Sequence, residues 1–190
     1  MSGNTETGDD HFDAVIAGAG PAGAQCARDL ASRNYDVLVL ETEAEDEFPR
    51  RSNKSTGGTF PSMMAAFDIP DRVVMKFTDS VVLESPNRHF VQEQPGAVLQ
   101  FADFKQFLVD DGQRLGANYR FDARVNAPIT EDGEVVGVKY NGSEEVYGDV
   151  VVDATGPSAT LAKSLGVVDL ERENQAIGIE YEFEGVEMDH

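Results

Sequence analysis

The chain carries 35 acidic and 15 basic residues among 190, a formal charge of −20, with 41 % of its residues apolar. That apolar share is ordinary for a globular protein, so the acidity does not signify disorder, and the length suits one large core or one and a half domains. A surface of this sign excludes nucleic acid as a natural partner, and the lone Cys26 excludes an internal disulfide framework or a cysteine-based metal site.

The acids are spread along the whole length and are not gathered in a tail. This points to a salt-rich host cytoplasm, where self-repulsion is screened over short distances; the alternative is an acidic protein of an ordinary host. Residues 1 to 11 are polar and acidic, as expected for a disordered lead-in and not for a signal peptide. No apolar run approaches bilayer-spanning length, so a soluble, cytoplasmic protein is expected.

The first patterned stretch runs from Phe12 to Glu41. Phe12 to Ala17 is a short apolar run suited to a buried parallel strand. The turn Gly18-Ala19-Gly20-Pro21-Ala22-Gly23 follows, then a small-residue helix to about Arg33, then a second apolar run, Val37 to Leu40, closing on Glu41. Strand, glycine turn, helix, strand and terminal acid together make a dinucleotide fingerprint. Gly18 permits the tight turn, Gly20 lets the backbone approach a pyrophosphate, and Gly23 lets the helix pack close to the sheet. Pro21 suits the first helical turn, whose free N–H groups attract phosphate. Glu41 is expected to accept hydrogen bonds from an adenosine ribose, and its charge disfavours the 2′-phosphate of NADP.

Residues 42–62 are polar and irregular, with the most basic patch of the chain at Arg50, Arg51 and Lys54, and a pair of glycines at Gly57 and Gly58. A loop of this length either faces cofactor phosphates or an anionic head group, or is simply solvated. A short helix is expected over 60–67, ended by Pro70. Short strands are expected at 72–77, 80–83, 89–92 and 97–101, with a turn at Pro86-Asn87. Asp103 is expected to cap a helix to Leu115, with Phe104, Phe107, Leu108 and Leu115 as its core-facing stripe and Gly116 as its stop.

A strand is predicted at 119–125. Val135–Tyr140 and Glu145–Val152 then form a hairpin across Asn141-Gly142. The second arm runs into Asp153-Ala154-Thr155-Gly156, where Ala154 and Gly156 leave room for a ligand at the carboxyl end of the sheet. A short helix ends near Leu165. The alternating run 176–183 looks like the first strand of another sheet, and its lack of a downstream partner suggests a truncated chain. His11, His89 and His190 are scattered with no nucleophile or carboxylate in register, so no hydrolytic triad is supported and no catalytic residue is named. No metal-ligand spacing occurs.

A chain that inserts a long loop, short strands and a helix between the fingerprint and its later strand resembles FAD-dependent enzymes of the aromatic-hydroxylase superfamily. Within it, the sequence is most similar to the geranylgeranyl reductase family, particularly the archaeal enzymes that saturate isoprenoid chains of membrane lipids. The resemblance is carried by Phe12 to Ala24, Glu41, the Lys54-Ser55-Thr56-Gly57-Gly58 loop and the Val152 to Ser158 segment. Thr56 stands where family members often carry a cysteine, and Phe101 where an arginine commonly precedes the following helix.

The resemblance implies FAD as cofactor, hydride delivery from reduced flavin to an isoprenoid double bond, a lipid or small-molecule substrate, and an external nicotinamide or ferredoxin donor. It also implies possible peripheral contact with a membrane. The cofactor-binding set expected is Gly18, Gly20, Pro21, Ala22, Gly23, Glu41, Thr42, Arg50, Gly57, Gly58, Val125, Ala154, Thr155 and Gly156. The fold expected is α/β: a Rossmann-like FAD-binding domain over 12–170 with a parallel sheet and a β-hairpin or meander insertion. Residues 71–101 would contribute to a substrate-side sheet, and 171–190 would begin an antiparallel substrate domain. The rival readings are an FAD monooxygenase or halogenase of the same architecture, and a truncated nucleotide-binding fragment without activity.

Overall fold

A computed structural model of the chain describes residues 11–49 and 57–169, with the single residues 176 and 185. Residues 1–10 of the expected lead-in, the basic patch at Arg50, Arg51 and Lys54, and residues 177–183 of the strand expected at 176–183 lie outside the described residues, while His11, expected to close the lead-in, opens the first strand. In chain order the elements are β1 (His11–Ala17), α1 (Pro21–Ser32), β2 (Val37–Leu40), β3 (Gly58–Thr59), α2 (Pro61–Ala66), β4 (Val74–Ser85), β5 (Arg88–Leu99), α3 (Phe101–Arg114), β6 (Asn118–Arg120), β7 (Val125–Glu131), β8 (Glu134–Tyr140), β9 (Glu144–Asp153) and α4 (Thr160–Ser164). The chain divides into two compact units, residues 1–53 with 102–169, and residues 54–101 with 170–190.

The first unit is built on a six-stranded sheet in the order β6-β2-β1-β9-β8-β7. Strands β6, β2, β1 and β9 run parallel, and β8 and β7 are antiparallel additions. The parallel centre follows from sequence: Val15, Ile16, Ala17 and Val37 to Leu40 are at most 1 % exposed, so neither face of these strands can tolerate a polar residue. Each such valine or leucine contributes about 1.5–3 kcal/mol by leaving water. On one face Val15, Leu38, Leu40, Val138, Val146 and Leu161 form a continuous core. α1 and α3 are joined by an ion pair from Arg28 Nε to Asp111, and the Arg28 guanidinium also lies 5.2 Å from the centroid of the Phe107 ring.

The path of the chain matters for the site. From β1 it crosses through α1 to β2 on one side, whereas β9 pairs with β1 on the other, with Ala14 opposite Val150 and Ala17 opposite Asp153. Reversal of strand order about β1 opens a crevice beyond the carboxyl ends of β2, β1 and β9.

The second unit contains a three-stranded antiparallel sheet in the order β3-β5-β4. Here the expected four short strands are replaced by two long ones, β4 and β5, joined at the Pro86-Asn87 turn. The register shifts between Thr78, opposite Gly96, and Ser80, opposite Glu93. Pro95 falls at that irregularity, where its missing N–H removes no regular ladder bond, so the polar and proline residues that suggest breaks only bulge the ribbon. Val73, expected in a strand, belongs to a short 3₁₀ turn over Asp71–Val73.

Two further expectations change. The strand predicted at 119–125 is two strands, β6 and the start of β7, separated by a bend in which Asp122 has φ 52°. α3 begins at Phe101, so Asp103 lies in its first turn and is not the cap, and Phe101 is helical and not extended.

Candidate functional site at the carboxyl ends of the parallel strands

Three chain segments meet beyond the ends of β1, β2 and β9. The Gly18 N–H donates to the Leu40 carbonyl at 2.8 Å, and the Ala154 N–H to the Ala17 carbonyl at 3.0 Å, so the glycine turn is fastened on both sides. Gly18 has φ +104°, and a Cβ there would lie 2.5 Å from the Ala154 carbonyl oxygen. A Cβ on Gly23 would lie 2.0 Å from the Gly18 carbonyl oxygen and 3.1 Å from Ala154 Cβ. These two glycines are therefore demanded by the protein's own packing.

Gly20 differs. Its φ of −63° suits any residue, and a Cβ there would meet no protein atom within 4 Å. Nothing among the described residues explains a glycine at this place, whereas a ligand backed against the turn would. Gly20 is also the residue preceding α1, which has no side-chain cap and no acid in its first turn. After Pro21, the Ala22 and Gly23 N–H groups have no acceptor within the helix, and the positive end of the helix dipole lies with them. The arrangement attracts an anion.

Glu41, at the end of β2, is 9 % exposed. One oxygen of its carboxylate accepts from the Ala19 N–H at 2.7 Å and the other from the Glu43 N–H at 2.9 Å. Each carboxylate oxygen retains capacity for a further donor. The expected ribose acceptor is thus also a brace for the glycine turn, a duty that spacing alone does not reveal. Neighbouring Thr42 is exposed. The chain leaving β6 folds back over this point, with the Ala123 N–H donating to the Glu41 carbonyl and the Asp122 N–H to the Glu43 carbonyl.

On the far side, Asp153 shapes the Ala154-Thr155-Gly156 bend. Its Oδ1 accepts from the Thr155 hydroxyl at 2.6 Å and the Thr155 N–H at 3.1 Å. Its Oδ2 accepts from the Leu161 and Ala162 N–H groups at 2.9 and 2.8 Å, so it also caps α4. Partial burial pushes its pKa up, but the bonds from Thr155, Ala162 and Leu161 outweigh this and hold it below the usual carboxylate range. Asp153 is absent from the expected binding set, although an aspartate followed two residues later by threonine is a turn signal. Gly156 has φ +65° with open space where a Cβ would stand.

The remaining expected residues fall elsewhere. Val125 is 8 % exposed, with its side chain in the apolar core under the sheet. Gly57 and Gly58 belong to the second unit, where Gly57, at φ +64°, would place a Cβ 2.4 Å from the Leu99 carbonyl oxygen, and Gly58 pairs with Val98. Their packing there is a structural reason for at least the first glycine. Arg50 is outside the described residues.

A family model described as glucose inhibited division protein A matches residues 13–176, a span that contains the glycine turn, Glu41 and the Asp153 bend. The chain belongs to the glucose inhibited division protein A family. Among relatives of this family member, a digeranylgeranylglycerophospholipid reductase of Haloferax volcanii is 71 % identical over 94 % of this chain and 44 % of its own length. The chain thus spans under half the length of that relative. The fold matches a geranylgeranyl bacteriochlorophyll reductase-like protein of Thermoplasma acidophilum, 22 % identical, at a TM-score of 0.74 over 84 % of this chain and 43 % of that one. A flavin-dependent brominase is 25 % identical at a TM-score of 0.68, over 81 % of this chain and 40 % of its own. The resemblance to geranylgeranyl reductases carried by the sequence motifs is borne out, and so is the Rossmann-like α/β architecture.

Proposed function

We propose that this chain forms the FAD-binding part of an oxidoreductase that reduces isoprenoid double bonds of geranylgeranyl lipids. The observation that carries the cofactor reading is Gly20: a glycine that the protein's own packing does not require, at an uncapped helix start, between the Glu41 carboxylate and the Ala154–Gly156 bend. In this reading the Ala22 and Gly23 N–H groups hold the diphosphate, Glu41 accepts the ribose hydroxyls, and Ala154 to Gly156 line the approach toward the flavin. Thr42 and Arg50 are assigned supporting contacts. Reduced flavin supplies the hydride when bound, while these residues supply position and electrostatics.

The lipid substrate is supported by the 71 % identity to the Haloferax enzyme, against 25 % for the brominase. The same relative, and the charge of −20, favour a high-salt host. Reducing equivalents are assigned to an external nicotinamide or ferredoxin donor, and the lipid draws the enzyme to a membrane surface. Among the described residues no helix is long and apolar enough to cross a bilayer.

The binding test is direct: the chain, purified in molar salt and mixed with FAD, should keep a visible flavin spectrum after free flavin is removed by gel filtration, and failure to retain it removes the reading. For activity, a protein carrying this chain at the relatives' full length is reduced and mixed with a geranylgeranyl lipid. Saturated product under nitrogen supports the reductase; product formed only in air transfers the assignment to a monooxygenase.

A further inference from the structure

Thr155 belongs to the binding set expected from sequence, yet its donors are already committed inside the chain. Its hydroxyl donates to Asp153 Oδ1 at 2.6 Å, and its N–H donates to the same oxygen at 3.1 Å. The hydroxyl oxygen in turn accepts from the Thr160 N–H at 2.8 Å. A threonine has only one O–H and one N–H to give, so neither is left for a phosphate oxygen or a flavin carbonyl. Its carbonyl is held as well, by the Ser158 hydroxyl at 2.7 Å.

The loop over 155–160 needs such bonds. Gly156 at φ +65° and Ala159 at φ 42° are both left-handed, and an alanine occupies that region only where its surroundings compel it. The Ala159 N–H closes the turn on the Gly156 carbonyl at 3.1 Å, and Asp153 Oδ2 takes the Leu161 and Ala162 N–H groups at 2.9 and 2.8 Å. At its start the bend abuts the glycine turn, since Ala154 supplies the atoms that a Cβ on Gly18 or Gly23 would strike. Where a Cβ on Gly156 would stand, no described atom lies within 4 Å.

We propose that Thr155 is a positioning residue for the flavin end of the cofactor: it donates no hydrogen bond to FAD and instead locks the Ala154–Gly156 bend against the glycine turn, in the shape the flavin meets. The inference rests on the flavin reading above. The two halves of the site are then separable. Glu41 and the Ala22 and Gly23 N–H groups, which that reading assigns to ribose and diphosphate, share no hydrogen bond with Thr155 among the described residues.

The test is calorimetric titration with FAD and with ADP, in molar salt, for wild type, T155V, T155S, D153A and D153A/T155V. T155V keeps the shape and loses the hydroxyl. It should bind FAD about tenfold more weakly, as for one lost hydrogen bond to a charged group, and ADP within about twofold of wild type. T155S retains the hydroxyl and should stay within about threefold for both ligands. In D153A the hydroxyl has no acceptor, so adding T155V should weaken FAD by no more than about twofold further. T155V with undiminished FAD affinity overturns the proposal, and so does an equal loss of FAD and ADP, which marks a general loosening of the fold. A loss of about tenfold on adding T155V to D153A shows the hydroxyl bonding to the cofactor itself and likewise overturns it. Should T155V or D153A fail to fold, S158A decides, because it removes the bond to the Thr155 carbonyl from an exposed position. An FAD loss of about threefold with ADP unchanged then supports the proposal, and unchanged affinity for both overturns it. A wild-type chain that binds no FAD overturns the flavin reading and this inference with it, whereas equal FAD affinity in wild type and T155V overturns the inference alone.

Discussion

Gly18 and Gly20, two residues apart, make opposite predictions. Gly18→Ala should destabilise the fold, because the φ of +104° and the Ala154 carbonyl 2.5 Å away leave no place for a methyl group. Gly20→Val should leave the melting temperature nearly unchanged and abolish FAD binding, because its side chain enters only the space assigned to the diphosphate. Thermal melts beside flavin titrations separate the two, and a Gly20 variant of undiminished FAD affinity contradicts the placement. Glu41→Ala should weaken FAD by about 1–3 kcal/mol and also lower stability, since it leaves the Ala19 and Glu43 N–H groups without their acceptor. Asp153 supplies a pH test. Its folded-state pKa is lowered, so its contribution is complete above the unfolded value of about 4 and is lost as pH falls through the folded value. D153N should flatten the acid limb of the stability curve below about pH 4, measured by urea unfolding at a series of pH values.

Elements differ in how much of their shape is written locally. β1, α1 and β2 are legible because an apolar run, a glycine turn and an acid each state their role within a few residues. The β8–β9 hairpin is legible for the same reason at Asn141-Gly142. The matching turn at Asp132-Gly133, with φ of 50° and 89°, is as strong a signal, yet β7 hides it: Pro128 and the exposed Thr130 and Glu131 look unlike a strand until the sheet shows that β7 is an edge, where proline is tolerated. Asp153 is concealed at the site for a different reason, since an aspartate at a strand end ordinarily faces water. α3 against β6 also carries a defect open to test. The Tyr119 hydroxyl is buried without a hydrogen-bond partner among the described residues, with its pKa pushed up by burial, and a Cβ on Gly112 would lie 2.7 Å from it. Tyr119→Phe should therefore be neutral or stabilising, by up to about 1 kcal/mol, and should rescue much of the loss caused by Gly112→Ala. A Tyr119→Phe variant that melts well below wild type points to an unseen partner for that hydroxyl.

At the scale of the whole molecule, a charge of −20 favours expansion unless counterions screen it. The unfolding midpoint should climb steadily from about 0.1 M to about 1 M KCl, where the screening length falls from about 10 Å to about 3 Å, and an unchanged midpoint argues against the high-salt assignment. The strand order has a further effect, on timing during synthesis. β1 finds β2 within thirty residues of its own emergence, roughly the span of one crossover unit, but its other neighbour, β9, is translated only after the whole of residues 57–101 and the two antiparallel strands. Until Asp153 leaves the ribosome, the first forty residues display a glycine loop with one wall missing and an open strand edge along β1. Cofactor capture is thereby deferred to a late stage of translation, and the nascent β1 edge is where a chaperone, or a neighbouring nascent chain, would find something to pair with first.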